Sequence, residues 1–340
     1  MSELKSNKMK SKNTLLIVLF ILCLSSCSSY KKADITFNNE AISLSGTLYL
    51  PEGEGPFPAV VFVHGSGEET RKNSTYSAKW MTSLGYAALV YDKRGTGESD
   101  GNEKDWSYFS FDDLAGDVVA AIQLLERHEN IDPNKIGLHA SSQGGWVAAL
   151  AASKTESINF MIIKSPSVST VSEDRIFERS ARLKREGFSD SDIEEAVQMQ
   201  RVEGKTTEGN DTPDTFTDLF EQNKNKAWFA RVYPGTSPFT QSLVTYRTWY
   251  STIMNFDPVT HLNKLDIPVI WLFGDSELDQ LGPVDQSIAT LNQLKEKGKA
   301  YKVIQYSGES HNISEKAYEQ DVYNWLKTIY PDQTLEFRKH

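Results

Sequence analysis

The chain has 340 residues, 39% of them hydrophobic and 24% charged, and carries a formal net charge of −10. That length allows one large α/β domain with an inserted subdomain, at roughly 100 to 200 residues per domain. The ordinary composition, without a fixed-period repeat or low-complexity stretch, argues against disorder beyond the ends, and the acidic balance argues against nucleic acid as a partner, because binding it needs clustered Lys and Arg.

The basic stretch MSELKSNKMKSKN precedes an apolar run, Leu15 to Leu24, that is too short to span a bilayer but has the length of a signal-peptide core. The run ends in Leu24-Ser25-Ser26-Cys27, which resembles the bacterial lipobox, where a Leu, two small residues and a Cys direct diacylglycerol onto the thiol and cleavage just before it. Residues 1–26 are therefore expected to be a lipoprotein signal peptide, Cys27 the lipidation site, and residues 27–40 a tether. Loss of Lys5, Lys8, Lys10, Lys12 and Glu3 with the leader leaves 32 basic against 45 acidic side chains, a net charge of −13. Cys23 departs with the leader and Cys27 is acylated, so neither a disulfide nor a cysteine nucleophile is expected. The expected location is a lipid anchor in a bacterial cell membrane. Ser28 and Ser29 carry no acidic retention signal, so in a two-membrane cell the expectation is the outer membrane, facing the periplasm.

Within and after the tether, Asp34 to Phe37 and Ile42 to Leu50 have the β-branched alternation of a short antiparallel pair, closed by Pro51 and the turn EGEGPFP. Continuous apolar runs of strand length follow: Ala59 to Val63, Ala87 to Tyr91, Lys135 to His139, Phe160 to Ile163, Val269 to Phe273 and Tyr301 to Gln305. Runs without alternation mark strands buried on both faces, hence a mostly parallel sheet between helices. Phe111 to Glu126 puts Leu114, Val118, Ala121 and Leu125 on one helical face with Ser110 as N-cap, and Tyr318, Val322, Trp325 and Ile329 repeat that spacing. Between Lys164 and Pro268 lie about 100 residues, where a simple crossover takes a few dozen. This stretch carries the helix signal FSDSDIEEAVQMQRVEG, with Ser189 or Ser191 as cap, and nine aromatics from Phe216 to Tyr250. It reads as a helical cap over residues 170–256, dividing a core of residues 41–169 and 257–333, with the aromatics forming the cap's own core.

In Ile136-Gly-Leu-His-Ala-Ser-Ser-Gln-Gly-Gly-Trp146 a buried strand runs into a small-residue turn and then into a helix starting near Gln143. A nucleophile elbow needs that context: the Ser at its apex is strained, and only minimal side chains two before and two after let strand and helix pack closely. Around Ser142 these are Ala140, in place of the usual Gly, and Gly144. Around the rival Ser141 they are His139 and Gln143, both too large.

At this point the sequence resembles the α/β-hydrolase superfamily over about residues 42–330, in the branch of lid-bearing esterases and serine aminopeptidases. VVFVHGSG, YDKRGTGESDG, ASSQGG, FGDSELDQLGP and YSGESHNI occur in the family's order. The resemblance implies an α/β fold with an eight-stranded, mostly parallel sheet, helices on both faces and an inserted cap. It implies the chain order nucleophile, acid, histidine, which selects His311 as general base, since the other histidines lie in the wrong segments. The acid is less determined. The family's Gly-to-acid spacing selects Glu277, whereas its Pro about four residues after the acid selects Asp279; Asp279 is preferred, with Glu277 and Asp275 as alternatives. One oxyanion donor is the Gln143 N–H, the residue after the nucleophile, and the family places the second in HGSG at Ser66, with Gly65 the near alternative. Asp92 and Arg94 are expected to brace the loop after the fourth strand. The implied activity is hydrolysis of carboxylic esters through Ser142, Asp279 and His311 without cofactor or metal, with a peptidase acting on short peptides as the alternative.

Overall fold

The computed structural model describes residues 30–101, 109–207, 213–233 and 253–332. The leader expected over residues 1–26, Cys27 and the C-terminal His340 lie outside them. Eight strands form one sheet: β1 Tyr30–Asn39, β2 Ile42–Pro51, β3 Phe57–Val63, β4 Ala87–Tyr91, β5 Ile131–Ser141, β6 Phe160–Lys164, β7 Val269–Phe273 and β8 Tyr301–Gln305. Their order is β1-β2-β4-β3-β5-β6-β7-β8. β1 and β2, and β2 and β4, pair antiparallel, and every other neighbouring pair is parallel. β5, which leads to Ser142, therefore stands in the middle of the sheet.

Both faces of the central parallel strands β3, β4, β6 and β7 are covered, which is why their sequences do not alternate, whereas β8 at the sheet edge leaves Lys302 and Gln305 exposed. On one face Ala59, Val61, Leu138, Met161, Ile163 and Trp271 pack with helices α2 (Phe111–Glu126), α3 (Gln143–Ala152) and α9 (Val284–Glu296). On the other, Val60, Phe62, Val90, Ile162 and Leu272 pack with α1 (Thr75–Ser83) and α10 (Glu315–Ile329). Each large aliphatic or aromatic side chain buried in these layers contributes about 1.5–3 kcal/mol. The start of α2 is fixed by a reciprocal capping box in which the Ser110 hydroxyl accepts the Asp113 N–H and the Asp113 carboxylate accepts the Ser110 N–H.

The tether expected over residues 27–40 is shorter than that, because Tyr30–Asn39 form β1 at the sheet edge. Only its part Asp34 to Phe37 shows in the sequence YKKADITFNN, because an edge strand exposes both faces and only Phe37 is buried. The lysines and other polar side chains along it discourage pairing with another chain.

Between β6 and β7 lie α4 (Val171–Arg185), α5 (Asp190–Thr207), α6 (Pro213–Asn223), α7 (Phe229–Val232) and α8 (Pro258–Leu262). Ser189 caps α5, its hydroxyl accepting the Asp192 N–H. Leu183, Ala196, Met199, Phe220, Trp228, Phe229 and Val232 form a small separate core, with Phe216 and Tyr233 packed against it. The remaining expected cap aromatics, Phe239, Tyr246, Trp249 and Tyr250, lie outside the described residues. Among the described residues no helix is long and apolar enough to cross a membrane.

Candidate active site

Ser142 occupies the turn between β5 and α3 with φ 53° and ψ −122°, a left-handed region that a non-glycine residue enters only under strain. Its N–H donates to the Lys164 carbonyl at 2.9 Å, and its own carbonyl accepts the Gly145 N–H at 2.8 Å. The close packing expected two residues either side is present. Ala140 is fully buried, and a Cβ on Gly144 would stand 2.6 Å from the Val63 carbonyl oxygen and 2.7 Å from that of His64. The strand and helix are thus pressed so near to β3 that position 144 admits no side chain.

The structure brings Ser142, His311 and Asp279 together. His311 Nε2 is 3.0 Å from Ser142 Oγ, and its Nδ1 is 3.0 and 3.1 Å from the two Asp279 oxygens. Asp279, in the loop after β7, is 2% exposed. The other two carboxylates of that loop do other things. Glu277 is exposed. Asp275 accepts the N–H groups of Glu277 and Gly308, which hold its carboxyl below the usual range. It thereby ties the loop after β7 to the loop carrying His311, and its N–H adds a bond to the Glu309 carbonyl at 2.7 Å. The Asp279 N–H donates to the Asp275 carbonyl at 2.8 Å, a single helical turn that ends with the Asp279 side chain buried. The Ser165 hydroxyl donates to the His311 carbonyl from the end of β6, where Ser165 itself has φ 49°.

Facing Ser142 is the loop after β3. A Cβ on Gly65 would lie 3.7 Å from the Ser142 Cβ. Neither the Ser66 N–H nor the Gln143 N–H donates to any described protein group. Gln143 opens α3, so its amide also lies at the positive end of that helix. His64 is buried, donates from Nε2 to the Tyr91 carbonyl at 2.6 Å, and is kept neutral because burial, reinforced by Lys93, pushes its pKa down to about 4.

Asp92 and Arg94 brace this region as expected. The Asp92 carboxylate accepts the Arg71 main-chain N–H and guanidinium and the Glu98 N–H. Arg94 grips Asp117 on α2 through Nε at 2.7 Å and a second nitrogen. Two groups at the site carry no sequence signal of their own. Lys93 lies between those two bracing residues and is 3% exposed. Asp174, in the first turn of α4, receives the Ser167 hydroxyl beside Gly282, and burial pushes its carboxyl up to about 7, against the opposing pull of His311 and Arg175. Among the described residues no group of three or more His, Cys, Asp and Glu could hold a metal ion.

A central parallel strand delivering a strained serine, with a buried carboxylate and a histidine supplied by the loops after β7 and β8, defines an α/β hydrolase. The model of the serine aminopeptidase, S33 family matches residues 54–315, and the chain belongs to that family. It is similar to the quorum-quenching protein AidA of Acinetobacter baumannii, with 29% identity over 39% of this chain and 43% of that protein. It is also similar to esterase EstD of Thermotoga maritima, with 28% identity over 44% of this chain and 36% of that protein. The chain thus spans less than half the length of each of these two relatives. Among solved structures, the Pyrococcus furiosus esterase Pf2001 shares the fold with a TM-score of 0.57 and 15% identity, over 90% of this chain and 92% of that one.

Proposed function

We propose that the protein is a serine esterase that transfers an acyl group to water through a covalent intermediate. The observation that carries this reading is the continuous chain from Ser142 Oγ through the His311 ring to Asp279, at 3.0 Å on each side of the imidazole, beside two uncommitted backbone amides. In it, Ser142 Oγ attacks the ester carbonyl carbon while His311 Nε2 takes its proton, and Asp279 fixes the tautomer with the proton on Nδ1 and stabilises the imidazolium. The tetrahedral oxyanion accepts the Ser66 and Gln143 N–H groups. On collapse, the alkoxide leaves with the proton from His311. Water then gives a proton to His311 and attacks the acyl-enzyme, and Ser142 recovers its hydrogen as the acid departs. Helices α4 to α7 belong to the cap over residues 170–256 that shapes the acyl and alcohol pockets, with α4 joined to the acid loop by the Arg185 to Gln280 hydrogen bond.

The preference for esters draws support from the esterase EstD among the relatives. Asp174 favours a second reading, a peptidase for short peptides, because a carboxyl in the first turn of α4 that interacts with His311 could pair with a free terminal amine. Purified protein assayed for nitrophenol release from short and medium acyl esters, and for nitroaniline release from aminoacyl anilides, separates the two. Ester turnover lost by up to about 10⁶-fold in Ser142→Ala supports the serine esterase. Anilide turnover without ester turnover favours the peptidase, and ester turnover surviving the substitution overturns both. We also propose that the mature chain begins at a diacylglyceryl Cys27 and is held at the periplasmic face of the outer membrane. Mass spectrometry of the mature N-terminus tests it, and an intact Met1 would refute it.

A further inference from the structure

Lys93 enters the protein interior directly after β4, with its side chain almost wholly shielded from water. Its ammonium donates to the Gly65 carbonyl at 2.9 Å, to the Gly67 carbonyl at 3.4 Å and to the Gln143 side-chain oxygen at 3.0 Å. These acceptors come from the two segments that hold the uncommitted amides, the loop after β3 and the start of α3. Burying an ammonium costs several kcal/mol unless its donors are satisfied, and an apolar side chain of similar length would fill the same space without that cost. The placement therefore asks for a role that the charge and donors serve.

Peptide geometry supplies one. In a trans peptide the C=O and the following N–H point in opposite directions, and the Gly65–Ser66 bond is trans. Drawing the Gly65 carbonyl onto Lys93 therefore turns the Ser66 N–H away from Lys93. Glycines on both sides of Ser66 leave this peptide little intrinsic preference, so an unrestrained loop could present a carbonyl where a donor is needed. Gln143 Oε1 ties the same ammonium to the helix whose first N–H would be the other donor.

We propose that Lys93 is a positioning residue for the acyl-transfer step: its ammonium holds the 65–66 peptide with the Ser66 N–H aimed at the developing oxyanion and locks that loop to the start of α3. This rests on the serine-hydrolase reading of Ser142. Among the described residues the titratable groups that act on Lys93 include Glu69, in the loop after β3, and His64, which burial keeps neutral. Burial lowers the Lys93 pKa to about 8, with Glu69 acting in the opposite sense. The ammonium is thus present below that pH and is lost above it, which places an alkaline limb on kcat.

The test compares the parent, Lys93→Met, Lys93→Arg and Ser142→Ala as full chains. It measures kcat, KM, the pH profile, and inhibition by a trifluoromethyl ketone whose hemiketal oxyanion occupies the hole. Lys93→Met is expected to lose about 100-fold or more in kcat with KM within about threefold, and to bind the ketone more weakly in proportion. Lys93→Arg is expected to keep at least about a tenth of parental kcat and to lose the limb near pH 8, because a guanidinium stays charged. Lys93→Met within about threefold of parental kcat, or with unchanged ketone affinity, overturns the proposal. If Lys93→Met does not fold, Lys93→Arg decides alone, and an alkaline limb remaining near pH 8 overturns it. Ester turnover surviving in Ser142→Ala would instead overturn the serine mechanism on which the proposal stands.

Discussion

Asp279→Asn is the substitution whose effect follows most directly from the site. The parent carboxylate is 2% exposed and meets His311 Nδ1 with both oxygens, at 3.0 and 3.1 Å. The amide fills nearly the same space but carries no charge, and it can donate from nitrogen. If it donates to Nδ1, the ring proton moves to Nε2 and faces Ser142 Oγ, which then has no acceptor for its own hydrogen. The imidazolium formed in the transition state also loses its counter-charge. At an effective dielectric constant of about 20, unit charges about 4 Å apart attract by about 4 kcal/mol, a factor of about 10³ in rate, and the misplaced tautomer takes the loss towards about 10⁴ in kcat. The assay is nitrophenyl ester turnover at pH 7 with KM determined in parallel and folding checked by melting temperature. Exposed Glu277→Gln, measured alongside, should stay within about threefold of the parent. Asp279→Asn retaining more than about a tenth of parental kcat, or Glu277→Gln losing as much as it does, would refute the assignment of the acid.

Gly144→Ala places a Cβ against two backbone oxygens at 2.6 and 2.7 Å. It should cost about 1–3 kcal/mol in stability and, by displacing Ser142, more than about tenfold in kcat, read from denaturant unfolding and ester turnover. His64 and His139 are buried, with pKa values lowered from 6.5 to about 4 and about 3, both mainly by burial. Each group's folded pKa lies below its unfolded value, so the stability it contributes is present above pH 6.5 and lost as pH falls through the folded value. At pH 5 the loss is about 2 kcal/mol per histidine. His139 stacks on Phe62 with ring centroids 4.8 Å apart, so His139→Phe should flatten the fall in melting temperature between pH 7 and pH 5, and an unchanged slope would refute this. Arg94→Met leaves the Asp117 carboxylate, with its side chain 1% exposed, without its cation and should cost about 3–5 kcal/mol in unfolding free energy. Adding Asp117→Asn should recover much of that loss.

The parallel strands are legible in the sequence because two-sided burial writes them as unbroken apolar runs, as in Ala59 to Val63 and Val269 to Phe273. β1 is not legible over its full length, because an edge strand with only Phe37 buried has no apolar face to reveal it. The elbow can be read because steric crowding restricts positions 140 and 144 to the smallest residues, a local constraint that leaves a local trace. The acid is ambiguous in sequence because three carboxylates fall within five residues, and which of them turns inward depends on the helical turn from Asp275 to Asp279 and on the Asp275 bonds to the histidine loop. Lys93 and Asp174 leave no trace at all. One reads as part of a charged loop and the other as a favourable acid in the first turn of a helix. Only the packing of β4 against the loop after β3, and of α4 against Ser167 and Gly282, brings them to the site. Ser165 is likewise an unremarked loop serine until β6 and the histidine loop are neighbours.

Whether Ser142 is an activated nucleophile is read by reacting the folded protein with a fluorophosphonate and mapping the adduct by peptide mass spectrometry. One adduct per chain is expected, on Ser142, abolished in Ser142→Ala and slowed strongly in Asp279→Asn. An adduct on Ser141, or none in protein shown by its melting transition to be folded, would mean that Ser142 is not the nucleophile.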